Sequence, residues 1–213
     1  MPDTRNPVAQ IALPLEPGEL GTPRRIVIGN ANAAVVKAMR DPDSWPFGAA
    51  VLTGPPRSGK SLLGRWAAGQ SVDVIDGADT VDEAELFHAW NAIQQGGSAA
   101  GGKLLLIADS QPWEITLPDL KSRLGGSLQL EVGDPDDEMA AQLIEALAEQ
   151  RSLSLADGAA EYLVPRAVRS FAALEQLVAT IDRISLERQA PATMSVWRAA
   201  LEALQGPEQQ RLI

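Results

Sequence analysis

Gly54-Pro55-Pro56-Arg57-Ser58-Gly59-Lys60-Ser61 satisfies the pattern G-x-x-x-x-G-K-[ST] at every fixed position, and its flanks decide how it reads. Ala49-Ala50-Val51-Leu52-Thr53 before it is an uncharged apolar run of strand length, and Ser61 to Ala68 after it has the composition of a helix. Strand, glycine loop and helix in that order form a phosphate cradle. The glycines let backbone N–H groups close around an anion, and the helix start adds its partial positive charge. Lys60 is then placed to reach the β- and γ-phosphates, and the Ser61 hydroxyl to ligate Mg²⁺. A glycine turn of no function is the plain alternative, and it does not explain the strand and helix on either side.

Composition bounds the rest. The chain has 213 residues, 45% of them hydrophobic, enough for one substantial α/β core and a small helical appendage. It has no cysteine and a single histidine, His88, so disulfides and cysteine or histidine metal sites are not expected, and a reducing cytoplasm is the default. No run approaches the ~20 apolar residues of a membrane helix, and the first twenty residues lack a signal-peptide layout, so a cytoplasmic protein is expected. With 18 basic and 28 acidic side chains the net charge is −10. That charge disfavours the counterion release by which basic proteins hold nucleic acid, so no direct sequence-specific DNA binding is expected.

Upstream of the loop, residues 1–23 hold five prolines and read as a flexible tail. Within it Gln10-Ile11-Ala12-Leu13-Pro14-Leu15 gathers three large aliphatic side chains in an extended stretch, suited either to docking in a partner's groove or to folding back on the domain. The globular pattern starts at Ile26 and predicts a helix over Ala31–Met39.

Downstream, Val72-Asp73-Val74-Ile75-Asp76 reads as a buried strand ending in an acid, the layout that holds Mg²⁺ beside a P-loop. A helix over Glu83–Gln95 follows, with Leu86, Phe87, Trp90 and Ile93 on its buried face. Lys103-Leu104-Leu105-Leu106-Ile107-Ala108-Asp109-Ser110 is the strongest strand of the chain and competes for the same acidic role, since Asp109 or Ser110 could also reach a γ-phosphate. Leu117 to Leu124 reads as a short helix carrying Lys121 and Arg123. Asp134-Pro135-Asp136-Asp137-Glu138 opens another, with Asp134 as cap and Pro135 in first position. From Asp157 on, helices over 157–164, 170–188 and 195–204 suggest a small lid, with Arg169 at the start of the longest. A cation there is locally unfavourable unless a phosphate or a carboxylate lies near.

Taken together, the P-loop, the strand ending in Asp76, the strand ending in Asp109-Ser110, Leu117-Pro118-Asp119-Leu120-Lys121-Ser122-Arg123-Leu124 and Val168-Arg169-Ser170-Phe171 resemble the AAA+ module of the bacterial replication initiator DnaA, and in particular the Hda-type DnaA paralogues. The resemblance implies an α/β fold, an AAA+ P-loop NTPase core with a parallel sheet flanked by helices, plus a small C-terminal all-helical lid domain. The implied division is 1–23 tail, 24–153 core and 154–213 lid. The P-loop residues Gly54, Pro55, Pro56, Arg57, Ser58, Gly59, Lys60 and Ser61, with Asp109 as sensor 1 and Arg169 as sensor 2, would hold ADP or ATP. Ser61 and Asp76 would serve Mg²⁺. Arg123 would be an arginine finger acting in trans, and Gln10, Ile11, Ala12, Leu13, Pro14 and Leu15 a sliding-clamp motif. The implied partners are DnaA, the DNA polymerase III beta sliding clamp and a second copy of the chain. Gly77 stands after Asp76 where active family members usually have a second acid, so weak hydrolysis by the chain itself is expected. The chain also leaves no room for the helix-turn-helix domain of an initiator. The short span from Ser61 to Asp76 implies that one strand and helix of the usual sheet are missing.

Overall fold

Four short apolar segments, each flanked by a helix, have to be buried on both faces, and a parallel sheet is the arrangement that does this. The computed structural model describes residues 26–96, 102–109 and 112–205. Helix α1 (Ala33–Met39) precedes strand β1 (Ala49–Thr53), and α2 (Lys60–Ala68) leaves the glycine loop. Strand β2 (Asp73–Asp76), helix α3 (Glu83–Gln94), strand β3 (Leu104–Ile107), helix α4 (Pro118–Gly126) and strand β4 (Leu128–Glu131) complete the series. All three ladders are parallel, in the order β2-β3-β1-β4. A single helix joins β1 to β2, in keeping with the short span between Ser61 and Asp76.

Side-chain parity sorts the two faces of the sheet. Ala49 and Val51 of β1 and Leu104 and Leu106 of β3 pack with Leu86, Trp90 and Ile93 of α3 and Leu120 and Leu124 of α4. On the other face Gly64 of α2 lies so close to Ile107 that a Cβ there would stand 2.6 Å from its Cδ1. The four residues of β3 are at most 1% exposed. Burying each is worth about 2 kcal/mol, which is why this strand is continuously apolar.

Residues 30–133 form one compact unit, and residues 134–205, with 26–29, form another. Helix α5 (Asp137–Gln150) falls in the second. The sequence reading placed it with the core, but its stripe of Ala140, Ile144 and Ala148 packs with α6 (Ala159–Leu163), α7 (Phe171–Arg188) and α8 (Met194–Gln205). These helices share Leu163, Leu174, Val178, Ile181, Val196 and Trp197 as a separate core.

Two local readings differ from the sequence expectation. Asp136, rather than Asp134, caps α5, accepting from the Met139 N–H at 2.9 Å, so Pro135 precedes the cap. Strand β4 also lies in a stretch to which the sequence reading assigned no element. Its Leu128-Gln129-Leu130-Glu131 alternates because it pairs on one side only, at the edge of the sheet. Ser170 caps the longest lid helix, its Oγ accepting from the Ala173 N–H at 3.2 Å. Ser170→Ala is expected to cost about 1 kcal/mol, lowering Tm by roughly 2–4 °C, with Ser170→Asp close to wild type; a thermal melt of the three proteins checks this.

Candidate functional site

In a parallel sheet every carboxyl end points to one edge, and here that edge collects the glycine loop after β1, Asp76 after β2 and Asp109 after β3. Gly54 has φ 153 and so little room that a Cβ would stand 2.8 Å from Val132 Cβ, which explains why no larger residue can open the loop. Gly59, at φ 86, caps α2 with no side-chain hydrogen bond, and a Cβ there would meet nothing within 4 Å. The first amides of α2 have no intrahelical acceptor, so the helix start offers N–H donors into open space. Ser58 Oγ is buried with no hydrogen-bond partner. An orphaned hydroxyl, a side-chain-free cap and an open helix start fit an anionic phosphate group.

Lys60 closes this cradle from inside. It is 5% exposed, and its Nζ donates to the carbonyls of Gly54 at 2.9 Å and Pro55 at 3.1 Å. Its counter-ion is Asp109, 2.9 Å away and 73% exposed. The Asp109 N–H in turn donates to Asp79 Oδ1 at 3.2 Å. Strand β3 lies between β1 and β2, so the carboxylate against the P-loop lysine is Asp109, and Asp76 stands one strand further away on the exposed end of edge strand β2. Ser61 is exposed at the start of α2. Among the described residues no group of three or more Asp, Glu or His side chains could hold a metal ion, so Ser61 and Asp76 would need oxygen ligands from a bound phosphate to complete a Mg²⁺ shell.

Arg123 lies at the opposite edge of the sheet. It occupies the last turn of α4, which feeds the amino end of β4, whereas the P-loop follows the carboxyl end of β1. Its guanidinium stacks 4.5 Å from the Phe87 ring centre and 4.6 Å from that of Trp90, and its Nη1 donates to Asn91 Oδ1. Phe87, Trp90 and Asn91 follow the i, i+3, i+4 spacing that puts side chains on one helix face. Phe87 and Trp90 were legible as packing residues; Asn91 as the acceptor for Arg123 was not.

Glu83 is a second residue that motif reading misses. From the first turn of α3 it accepts from the Thr116 N–H at 2.8 Å and the Thr116 Oγ1 at 2.9 Å, and from the Leu117 N–H. It thereby ties the segment entering α4 to α3. Arg169, in the lid unit, pairs through Nε with Asp137 Oδ1 at 2.9 Å, so the cation beside the start of α7 has a carboxylate partner. Residues Gln10 to Leu15 and Ser110 lie outside the described residues.

Comparison with known proteins agrees with this geometry. Residues 136–201 match the family model described as "Hda, lid domain". An uncharacterized protein of Haemophilus influenzae is 33% identical over 110 residues, which are 50% of this chain and 46% of that protein. The chromosomal replication initiator protein DnaA of Chloroflexus aurantiacus is 28% identical over 144 residues, 67% of this chain and 29% of that one. The chain thus spans less than half the length of either relative. Among solved structures, domain III of the Thermotoga maritima replication initiation protein DnaA superposes with a TM-score of 0.68 at 14% identity, covering 85% of this chain and 95% of that one. The FIGL-1 AAA domain in complex with ADP gives 0.60 at 15% identity, covering 85% of each.

The parallel sheet, its P-loop and the separate helical unit have the AAA+ fold. Within that fold the lid match and the DnaA relatives make the chain similar to the Hda-type paralogues of DnaA.

Among the described residues no helix is long and apolar enough to cross a membrane. The backbone N–H of Thr116, foremost, holds the Glu83 carboxyl below its ordinary value of 4.5. A depressed carboxylate stabilises the fold above its unfolded pKa, and the contribution is lost as pH falls through the folded value. The α3–α4 tie is therefore expected to be intact at neutral pH and to weaken below pH ~4.5. The protection of the Thr116 and Leu117 amides, measured as exchange relative to the intrinsic rate at each pH, should fall across that range in the wild type and be low throughout in Glu83→Gln.

Proposed function

We propose that the chain regulates the initiation of chromosome replication by binding adenine nucleotide at its P-loop and stimulating hydrolysis of DnaA-bound ATP through Arg123. The observation that carries this reading is the separation of the two groups within one unit. Residues Gly54 to Ser61 close the carboxyl end of β1, Arg123 lies by the amino ends of the strands, and five residues of β1 alone span about 16 Å. An arginine at the far edge from its own P-loop supports a role toward a nucleotide on a second protein. A guanidinium stacked on two rings keeps in-plane N–H donors for phosphate oxygens, and in other nucleotide hydrolases such a group supplies ~10³–10⁵ in rate.

The chain's own nucleotide then acts as a conformational ligand. Gly54, Pro55, Pro56, Arg57, Ser58 and Gly59 would wrap the phosphates, Lys60 would exchange Asp109 for a phosphate oxygen, and Ser61 with Asp76 would complete a Mg²⁺ shell. Arg169, paired with Asp137 within the lid unit, would keep the sensor 2 role that the family resemblance implies for it. Tail residues Gln10 to Leu15 would dock on the DNA-loaded beta clamp and bring the chain to DnaA. The DnaA-type fold and the Hda-type lid support this assignment.

Two measurements test it. In a turnover assay of ATP-loaded DnaA with DNA-loaded clamp, the wild type should accelerate hydrolysis. Arg123→Ala should lower the saturating rate by about a hundredfold or more. Stimulation that survives in Arg123→Ala would point to an adaptor that blocks DnaA assembly instead. In thermal melts, ADP or ATP with Mg²⁺ should raise the Tm of the wild type and leave Lys60→Ala unchanged, since a ligand stabilises only the state it binds. Rapid ATP turnover by the isolated chain, lost in Lys60→Ala, would favour a self-contained ATPase.

A further inference from the structure

Among the described residues, Phe47 is the core unit's one exposed large apolar side chain, at 59% exposure. It stands just before β1 with φ 57 and ψ 16, in the left-handed region that bulky side chains avoid, and Gly48 follows at φ 64. The core does not require the ring, because Trp45 already fills the interior at this point, 3% exposed and with its indole Nε1 donating to the Ala38 carbonyl at 2.9 Å. The ring is nevertheless held from three directions. Gln94 Nε2 donates to the Phe47 carbonyl at 2.6 Å, the Trp90 ring lies 6.0 Å away at a 48° tilt, and Gly126 is bare where a Cβ would stand 3.2 Å from Phe47 Cε2. Helices α3 and α4 therefore fix this phenyl and the Arg123 guanidinium together, and Trp90 touches both. Strained backbone that presents an apolar group to solvent is characteristic of sites where function holds the strain in place.

We propose that Phe47 is the apolar anchor of the surface that engages the partner whose nucleotide Arg123 serves, ATP-loaded DnaA, an inference that rests on the trans reading above. Charge selects this occupant. The chain carries a net −10, yet the Arg123 guanidinium shares the Trp90 ring with Phe47, a cation beside an apolar group that is complementary to an apolar lip next to anionic phosphates. Burying a rigid aromatic beside a stacked arginine is also the composition from which binding hot spots are built.

The test measures binding of the full chain to ATP-loaded DnaA, together with the stimulated rate, for wild type, Phe47→Ala, Phe47→Leu and Arg123→Ala. Phe47→Ala should weaken binding about tenfold or more while leaving the rate at saturation unchanged, and Phe47→Leu, with the same backbone strain and an apolar side chain, should bind within about threefold of wild type. Arg123→Ala should lose the rate. Binding of Phe47→Ala within about twofold of wild type overturns the inference while leaving the trans reading standing. So does a Phe47→Ala protein whose self-association weakens but whose DnaA binding does not. Weakened binding by Phe47→Ala in a system where the wild type gives no stimulation supports the anchor and overturns the arginine finger.

Discussion

The direction of β1 is the constraint on which the rest depends. Its two neighbours, β3 and β4, pair with it in parallel, so the sheet has a carboxyl edge and an amino edge with different chemistry. The glycine loop, Asp109 and Asp76 are delivered to the first, and Phe47 and the end of α4 to the second. Parallel pairing requires a crossover between consecutive strands, and helices α2, α3 and α4 provide it while covering the faces of the sheet. Reversing a single strand would bring the finger-bearing helix to the phosphate cradle. The polarity of the sheet thus places the glycine loop and Arg123 at opposite edges of one unit, the separation on which the proposed trans role rests.

That polarity also decides what could be read from the sequence. Ala49–Thr53 and Leu104–Ile107 are buried on both faces, so they appear as unbroken apolar runs with little to confuse them. Leu128–Glu131 pairs on one side only and alternates over four residues after two glycines, a signal too short to separate from a loop. The boundary of the helical unit was misplaced for a different reason. The stripe of Ala140, Ile144 and Ala148 says that α5 is amphipathic, and only tertiary contact says which core it faces. The P-loop is a local motif and was legible residue by residue. The Lys60–Asp109 pair joins the start of α2 to the end of β3, about a quarter of the chain apart, and it took strand order to show that Asp109, not Asp76, adjoins the loop.

Arg123 illustrates the limit of motif reading from the other side. Its place in Lys121-Ser122-Arg123 was visible, but its surroundings come from α3 and from the clamp that Glu83 makes on Thr116 and Leu117. A lysine could not replace it there, because a compact ammonium has no flat face to lay against Phe87 and Trp90. The stack uses the faces of the guanidinium, and Asn91 occupies only one of its donors. Pre-organisation of this kind lowers the entropy that a long flexible side chain loses when it meets a phosphate.

A common device links the three cations that the family resemblance singles out. Lys60 is held by Asp109, Arg123 by Asn91 and Arg169 by Asp137, each partner belonging to the same unit as the cation it serves. Two of these partners are carboxylates, which a phosphate can replace with its charge and its acceptor geometry kept. On the proposed reading, phosphate binding at those positions would be an exchange of one anion for another, so affinity would rest on how many oxygens the ligand presents rather than on neutralising a bare charge. Exchange also has a structural consequence. Asp109 gives up its counter-ion when Lys60 turns to phosphate, and its backbone N–H is tied to Asp79 in the segment after β2, which lies just before α3. The carboxyl edge of the sheet is thereby joined, through one carboxylate and one short segment, to the helix that holds Arg123 at the other edge. These contacts connect the two edges of the sheet within one unit.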